Sequence, residues 1–178
     1  MTMQRMCLGA LAAGLFCTQA AAQMSTTFGT SDAAQCFQNA SSLYSTDASP
    51  CDKALKSMLS QRDKKATLVN RGIIHRKNGE LQRALDDFNA ALELDANLAE
   101  AYLNRGTVYF LAGQSDAAIA DYEKALDLGT ARPWAAWYNI GLAYEEKKDK
   151  AKAREAYAKA VELNPSFAPA RDKLAELS

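Results

Sequence analysis

Three asparagines recur along this chain at nearly constant spacing. Asn70, Asn104 and Asn139 lie 34 and 35 residues apart. A carboxamide carries a donor and an acceptor together, so a row of them matches the polar groups of a peptide unit without selecting a sequence. The other residues of chemical interest are few. The single histidine, His75, has no motif partner and reads as a packing residue. The doublets Asp86-Asp87 and Glu145-Glu146 point about 100° apart on a helix, which suits solvated faces rather than a converging metal site. Trp134 and Trp137 share a helix face at i,i+3 and read as stacking between helices. No glycine-rich phosphate loop is present. The residues therefore indicate no enzyme, no metal site and no cofactor.

The elements that must position these side chains are helical. Of 178 residues, 35 are Ala and only seven are Val or Ile, a mix that favours helix over strand. Lys plus Arg and Asp plus Glu each number 21. A balanced charge argues against nucleic acid as a partner, because phosphate binding needs a basic excess.

The first residues read as an address. Arg5 precedes the uncharged apolar run Met6 to Phe16, and Ala20 to Ala22 supplies a small-residue cleavage site. This is the layout of a secretory signal peptide over 1–22, with no membrane span left in the mature chain. The expected location is the bacterial periplasm or the outside of the cell. Removal of the leader takes Cys7 and Cys17 with it. Cys36 and Cys51 remain, and in an oxidising compartment a pair at this spacing reads most simply as a disulfide, with two buried thiols as the alternative.

A repeat runs through the rest. Leu68-Val69-Asn70-Arg71-Gly72 aligns with Tyr102-Leu103-Asn104-Arg105-Gly106 and with Trp137-Tyr138-Asn139-Ile140-Gly141. Downstream, Ala84, Phe88 and Ala91 align with Ala118, Tyr122 and Ala125, and with Ala153, Tyr157 and Ala160. The pattern resembles the tetratricopeptide repeat, a helix-turn-helix of about 34 residues. The likeness covers residues 65–167, divided as 65–98, 99–133 and 134–167. It implies an all-α solenoid of stacked helical hairpins, each burying the face its neighbour cannot bury alone.

First helices are expected at 66–77, 98–111 and 133–147, and second helices at 81–93, 115–127 and 150–162. Gly72, Gly106 and Gly141 sit mid-helix, where glycine costs about 1 kcal/mol relative to alanine. The expectation is that they face Ala84, Ala118 and Ala153, small against small, while Phe88, Tyr122 and Tyr157 project toward the next hairpin. Residues 168–178 read as a capping helix with one apolar face.

Residues 31–64 read as a degenerate leading hairpin. A helix over 32–44 would bury Ala33, Cys36, Phe37, Ala40 and Tyr44. A second helix after Ser49-Pro50 would bury Ala54, Leu55, Met58 and Leu59. Cys51 falls in the place of the repeat aromatic, so a Cys36–Cys51 bond would stand in for aromatic packing. Residues 23–30 read as a flexible mature N-terminus.

Two residues separate each asparagine from its glycine, or about 200° around the helix. The asparagines thus point away from the hairpin partner, toward the surface shared by the first helices. In the family that surface is concave, and in some members asparagine at this place bonds the backbone of an extended peptide. The family register adds Arg76 and Lys77, then Thr107 and Phe110, then Leu142, Glu145 and Glu146 as groove neighbours, basic at one end and acidic at the other. The clamp for chaperone tails is disfavoured, since the bases it needs in the third copy are Ala135 and Asn139. The expected role is a non-enzymatic scaffold holding an extended segment of a protein or peptide partner. The alternative is a self-assembly or envelope-organising module using the convex face or the ends.

Overall fold

Serine hydroxyls set the first helix starts. The computed structural model describes residues 31–177, so the leader 1–22 and the tail 23–30 lie outside the described residues. The Ser31 hydroxyl accepts from the Ala34 amide and opens α1 (Asp32–Ser41). Pro50, which needs no amide partner in a first turn, opens α2 (Ser49–Lys56). Ser60 accepts from the Asp63 amide and donates to its carboxylate at 2.7 Å. This two-way cap starts α3 (Gln61–Lys77) five residues ahead of the expected 66. Then follow α4 (Leu81–Leu94), α5 (Ala99–Leu111), α6 (Ser115–Asp127), α7 (Pro133–Glu146), α8 (Lys150–Leu163) and α9 (Ala168–Glu176). Among the described residues there are nine helices and no strand.

The pairs α3/α4, α5/α6 and α7/α8 form the three best-packed hairpins, and each second helix packs on the first helix of the next pair. Successive first helices also touch, α3 with α5 and α5 with α7, while no two second helices pack comparably. First helices therefore lie on the inside of the curve. Gly79 and Gly113 make the first two hairpin turns at φ 75° and 72°, and Lys148 makes the third at φ 61°. Glycine enters this left-handed region freely; lysine does so at a cost.

The glycines pack differently from the expectation. A methyl placed on Gly72 would meet the Phe88 ring at 2.8 Å, and one on Gly106 would meet the Tyr122 ring at 2.8 Å. Gly141 is equally covered by Tyr157. The large aromatic of each second helix thus covers the glycine of its own first helix, while Phe88 and Tyr122 also pack in one cluster with the next hairpin, through Val108 and through Ala136 and Ile140, as expected. In the middle copy the Ala118 backbone oxygen stands 3.1 Å from the same point. Phe88, Tyr122 and Tyr157 are all fully buried, each worth about 1.5–3 kcal/mol of apolar transfer. That gain outweighs the helix cost of glycine.

Beside each contact sits a second repeated pair. Arg71 grips Asp87 through Nε and Nη2 at 2.9 and 2.6 Å, and Arg105 grips Asp121 at 2.7 and 2.8 Å. Both arginines reach back one hairpin as well, to Asp52 and to Asn89, each at 2.7 Å. Asp87 and Asp121 are buried, so the expectation that Asp86-Asp87 is a solvated doublet fails at Asp87. In the third copy Ile140 and Ala156, both buried, replace the ion pair. His75 is buried as well, with Nδ1 2.5 Å from Glu80.

In the leading pair, the Cys36 and Cys51 sulfurs stand at disulfide distance, 2.11 Å apart, and both residues are fully buried against Ile74 of α3. The apolar stripes are narrower than expected. Phe37 is 60% exposed, and Tyr44 and Met58 are more exposed still. α1 ends at Ser41 and α2 at Lys56, so Tyr44 and Met58 fall beyond the helices meant to bury them. At the far end α9 closes the stack. Tyr157 donates to Glu145 at 2.5 Å, Lys173 pairs with Glu145 at 3.2 Å, and Tyr138 meets Phe167 edge-on at 5.3 Å.

Candidate functional site

Helix α3 presents two unlike faces. Gly72 and His75 are buried in the hairpin, and Arg71 turns to Asp87 of α4. The opposite face carries Val69, Asn70, Ile73, Arg76 and Lys77, at i, i+1, i+4, i+7 and i+8, which is one stripe of a helix. This stripe floors a cleft of about 550 Å³. Phe37, Ala40, Ser41 and Leu43 of the leading pair form one wall. Glu100 and Asn104, one turn apart on α5, and Arg132 at the start of α7 form the other.

The polar groups of the cleft are held in different ways. Lys77 Nζ donates to the carbonyls of Ala40 at 2.5 Å and Ser42 at 2.6 Å. It thereby satisfies the open C-terminus of α1 and fixes that wall to the floor. Burial and the neighbouring Arg76 lower its pKa. Asn104 is buried, and its amide donates to the Glu100 carbonyl at 2.9 Å and carboxylate at 3.1 Å. Glu100 also pairs with Arg132. Arg76 is half-buried; its Nε–H is closed off from solvent and has no acceptor. Burial lowers the Arg76 pKa, and the nearby positive charge of Arg132 adds to the effect. Three cations and one carboxylate thus line a cleft in a chain whose net charge is zero.

Of the ten groove residues expected from sequence, the structure gathers Asn70, Arg76, Lys77 and Asn104 in this cleft. The others lie apart from it. The Thr107 hydroxyl donates to the Leu103 carbonyl at 3.0 Å, and Phe110 packs on the core between the second and third hairpins. Asn139 and Leu142 are half-buried farther along α7. Glu145 is taken up by Tyr157 and Lys173, and Glu146 by Ser115. The proposed acidic end is therefore largely engaged within the chain, because the capping helix supplies a lysine where the groove would need an open carboxylate.

The cleft residues not foreseen were Phe37, Leu43, Val69, Ile73, Glu100 and Arg132. Two signals pointed to some of them. Val69, Ile73 and Arg76 share the helical spacing of the floor, and Glu100 stands four residues before Asn104. A second recess of about 370 Å³ lies across α3, lined by Asp52, Arg71, His75, Arg83, Asp86 and Asp87. Arg71 is paired with Asp87 and Asp52 there, and the first of these bonds chiefly raises its pKa. Among the described residues no group of His, Cys, Asp and Glu is placed to hold a metal. No helix among them is long and apolar enough to cross a membrane.

The tetratricopeptide repeat family model matches residues 63–131 in one form and 103–166 in another. No curated protein sequence matches the chain at a significant level. Among solved structures, the chain is similar to MamA, with 28% identity, 73% of this chain and 74% of that chain covered, and TM-score 0.64. It is also similar to YrrB, described as a TPR protein with an unusual peptide-binding site, with 28% identity, 74% and 66% covered, and TM-score 0.62. The first TPR of Spaghetti (RPAP3), solved with an HSP90 peptide, shares the fold at 22% identity, with 67% and 93% covered and TM-score 0.61.

Proposed function

The chain belongs to the tetratricopeptide repeat family, and from that premise we propose a non-enzymatic scaffold that holds an extended segment of a partner protein along the first-helix face. The observation that carries this reading is the cleft over α3, where Asn70 and Asn104 stand beside apolar residues and an unpaired cation. The Asn70 amide serves the peptide backbone, Asn104 holds Glu100 in place beside it, and the wall of Phe37 and Leu43 takes the apolar side chains. A peptide-binding site is a property of YrrB; the same fold supports the same use here. Asn139 and Leu142, half-buried on α7, extend the contact beyond the cleft, while Thr107, Phe110 and Glu145 are engaged within the chain.

We further propose that the protein works outside the cytoplasm, with 1–22 removed and Cys36–Cys51 oxidised. The leader-like sequence and the sulfur pair at bonding distance support this. Titration of the exported protein with a thiol reagent, after unfolding in guanidinium without reductant, should then find no reactive cysteine; two reactive thiols would overturn it.

The test of the groove is a peptide-display selection on the purified protein. The selected peptides should lose roughly fivefold or more in affinity when Asn70 is changed to Ala, with helicity by circular dichroism unchanged. Equal affinity for both proteins rejects the groove. The self-assembly reading has one observation in its favour: Leu43, Tyr44 and Met58 are exposed by 86–104% at the leading end. A particle mass by light scattering that doubles as concentration rises would support it.

A further inference from the structure

The three cations of the cleft do different work. Lys77 is spent on the carbonyls that end α1, and Arg132 pairs with Glu100. Arg76 has no hydrogen-bond or ion-pair partner among the described residues, although its Nε is sealed from water. A guanidinium nitrogen that is desolvated without an acceptor destabilises the free protein. Elsewhere the chain avoids this: Arg71 and Arg105 are each satisfied by a buried carboxylate and a second acceptor. Nε stays unmatched behind the side chain, and the two Nη nitrogens, which are not closed off and have no partner among the described residues, are the donors left for an acceptor from outside.

The surroundings restrict what that acceptor is. One free guanidinium matches one negative charge, and Glu100 stands nearby to repel a second. Past Arg76 the cleft continues to Phe37 and Leu43, 60% and 86% exposed. A chain that ended on Arg76 would leave this apolar wall uncovered, whereas an internal side chain lets the peptide run on across it. We propose that Arg76 receives the carboxylate of an Asp or Glu side chain within an extended peptide, whose following apolar residues lie on Ile73, Phe37 and Leu43. This inference rests on the groove reading above and gives its ligand a chemical class. It differs from a clamp on a chain terminus, because the base is in the last turn of α3 and the bound carboxylate is internal.

The test uses four fluorescein-labelled peptides and the whole purified protein. The first is acetyl-Ser-Leu-Glu-Leu-Phe-Ser-amide. The second replaces Glu by Gln. The third is the Gln peptide with a free C-terminal acid directly after the Gln, and the fourth replaces Glu by phosphoserine. Fluorescence anisotropy should show the Glu peptide binding roughly tenfold or more tightly than the Gln peptide, the range for a hydrogen bond to a charged group. Arg76→Gln should collapse that ratio to near one, and Arg76→Met should do the same while raising the melting temperature, because it removes a half-buried cation with an unmatched Nε. Asn70→Ala should weaken both peptides by the same factor.

Equal binding of the Glu and Gln peptides to the wild type overturns the carboxylate subsite and leaves the groove standing. Binding of neither peptide overturns both. Tighter binding of the free-acid or phosphoserine peptide than of the Glu peptide replaces the proposal with a chain-end or a phosphate site. A melting temperature that falls in Arg76→Met while the Glu preference persists means that Arg76 is structural, and also overturns the proposal.

Discussion

Replacing Gly141 with Ala tests the packing of aromatic on glycine, because two effects of known sign compete. Alanine improves helix propensity by about 1 kcal/mol at a mid-helix position. Against this, the added methyl would fall 2.6 Å from Cδ1 of Tyr157 and closer still to Cε1. The ring cannot swing aside easily, since its hydroxyl is bonded to Glu145 at 2.5 Å and its face meets Tyr138 at 5.6 Å between centroids. Overpacking of this kind costs about 1–3 kcal/mol, and with a tethered ring the upper end applies. The net expectation is a loss of about 2 kcal/mol, or a melting temperature lower by roughly 4–8 °C for a chain of this size. Gly72→Ala should cost least, because Phe88 carries no hydroxyl to hold its ring. Gly106→Ala should fall between, since the Ala118 carbonyl stands 3.1 Å from the new methyl and belongs to the backbone. Urea titrations followed by circular dichroism measure all three. A Gly141→Ala protein as stable as the wild type, or an order with Gly72→Ala the worst, would refute the argument.

Three further outcomes follow from the same geometry. Lys148→Gly should raise stability by about 1 kcal/mol in a urea titration, because the turn holds φ 61° at a position where Gly79 and Gly113 serve the other copies. Asp121→Ala alone should cost about 3 kcal/mol by leaving Arg105 partly buried and short of its carboxylate, whereas Arg105→Ile with Asp121→Ala should recover most of the loss, as Ile140 and Ala156 already do in the third copy. Raising the pH above 10 should destabilise the fold. Burial pushes the Tyr122 phenol up to about 12 and raises Tyr157, and Glu145 raises Lys173. Above pH 10 the unfolded chain therefore binds fewer protons than the folded one, so stability falls as pH rises, by on the order of 2 kcal/mol for Tyr122 by pH 12. A flat melting temperature from pH 9 to 11.5 would contradict this.

The repeats were legible because local spacing determines them. Small, large and amide positions recur every 34 or 35 residues, and that period suffices for helices, turns and stacking order. Contacts that cross hairpins were not legible in the same way. The contact of each aromatic with the glycine of its own hairpin was not foreseen, because spacing gives a direction around one helix and not the tilt between two. The Arg71–Asp87 pair was missed although Arg-Gly and Asp-Phe recur as Arg-Gly and Asp-Tyr sixteen residues on in the second copy; Ile140 and Ala156 broke the pattern in the third. The cleft was half foreseen. Asn70, Arg76, Lys77 and Asn104 follow from register, but its wall depends on α1 ending at Ser41, and its other side on Arg132, which lies in the one-residue insertion between the second and third copies. Glu145 looked free because its partner, Lys173, comes from a helix outside the repeat.

The arginine clips have a bearing on how such a chain grows. Each arginine finds its carboxylate inside its own hairpin, so a duplicated hairpin carries both halves along and arrives already neutral. Only the third contact is borrowed from the preceding copy, and Asp52 and Asn89 show that an acid or an amide will serve there. A new unit inserted into the array needs one compatible acceptor in its upstream neighbour and nothing further from the rest of the molecule.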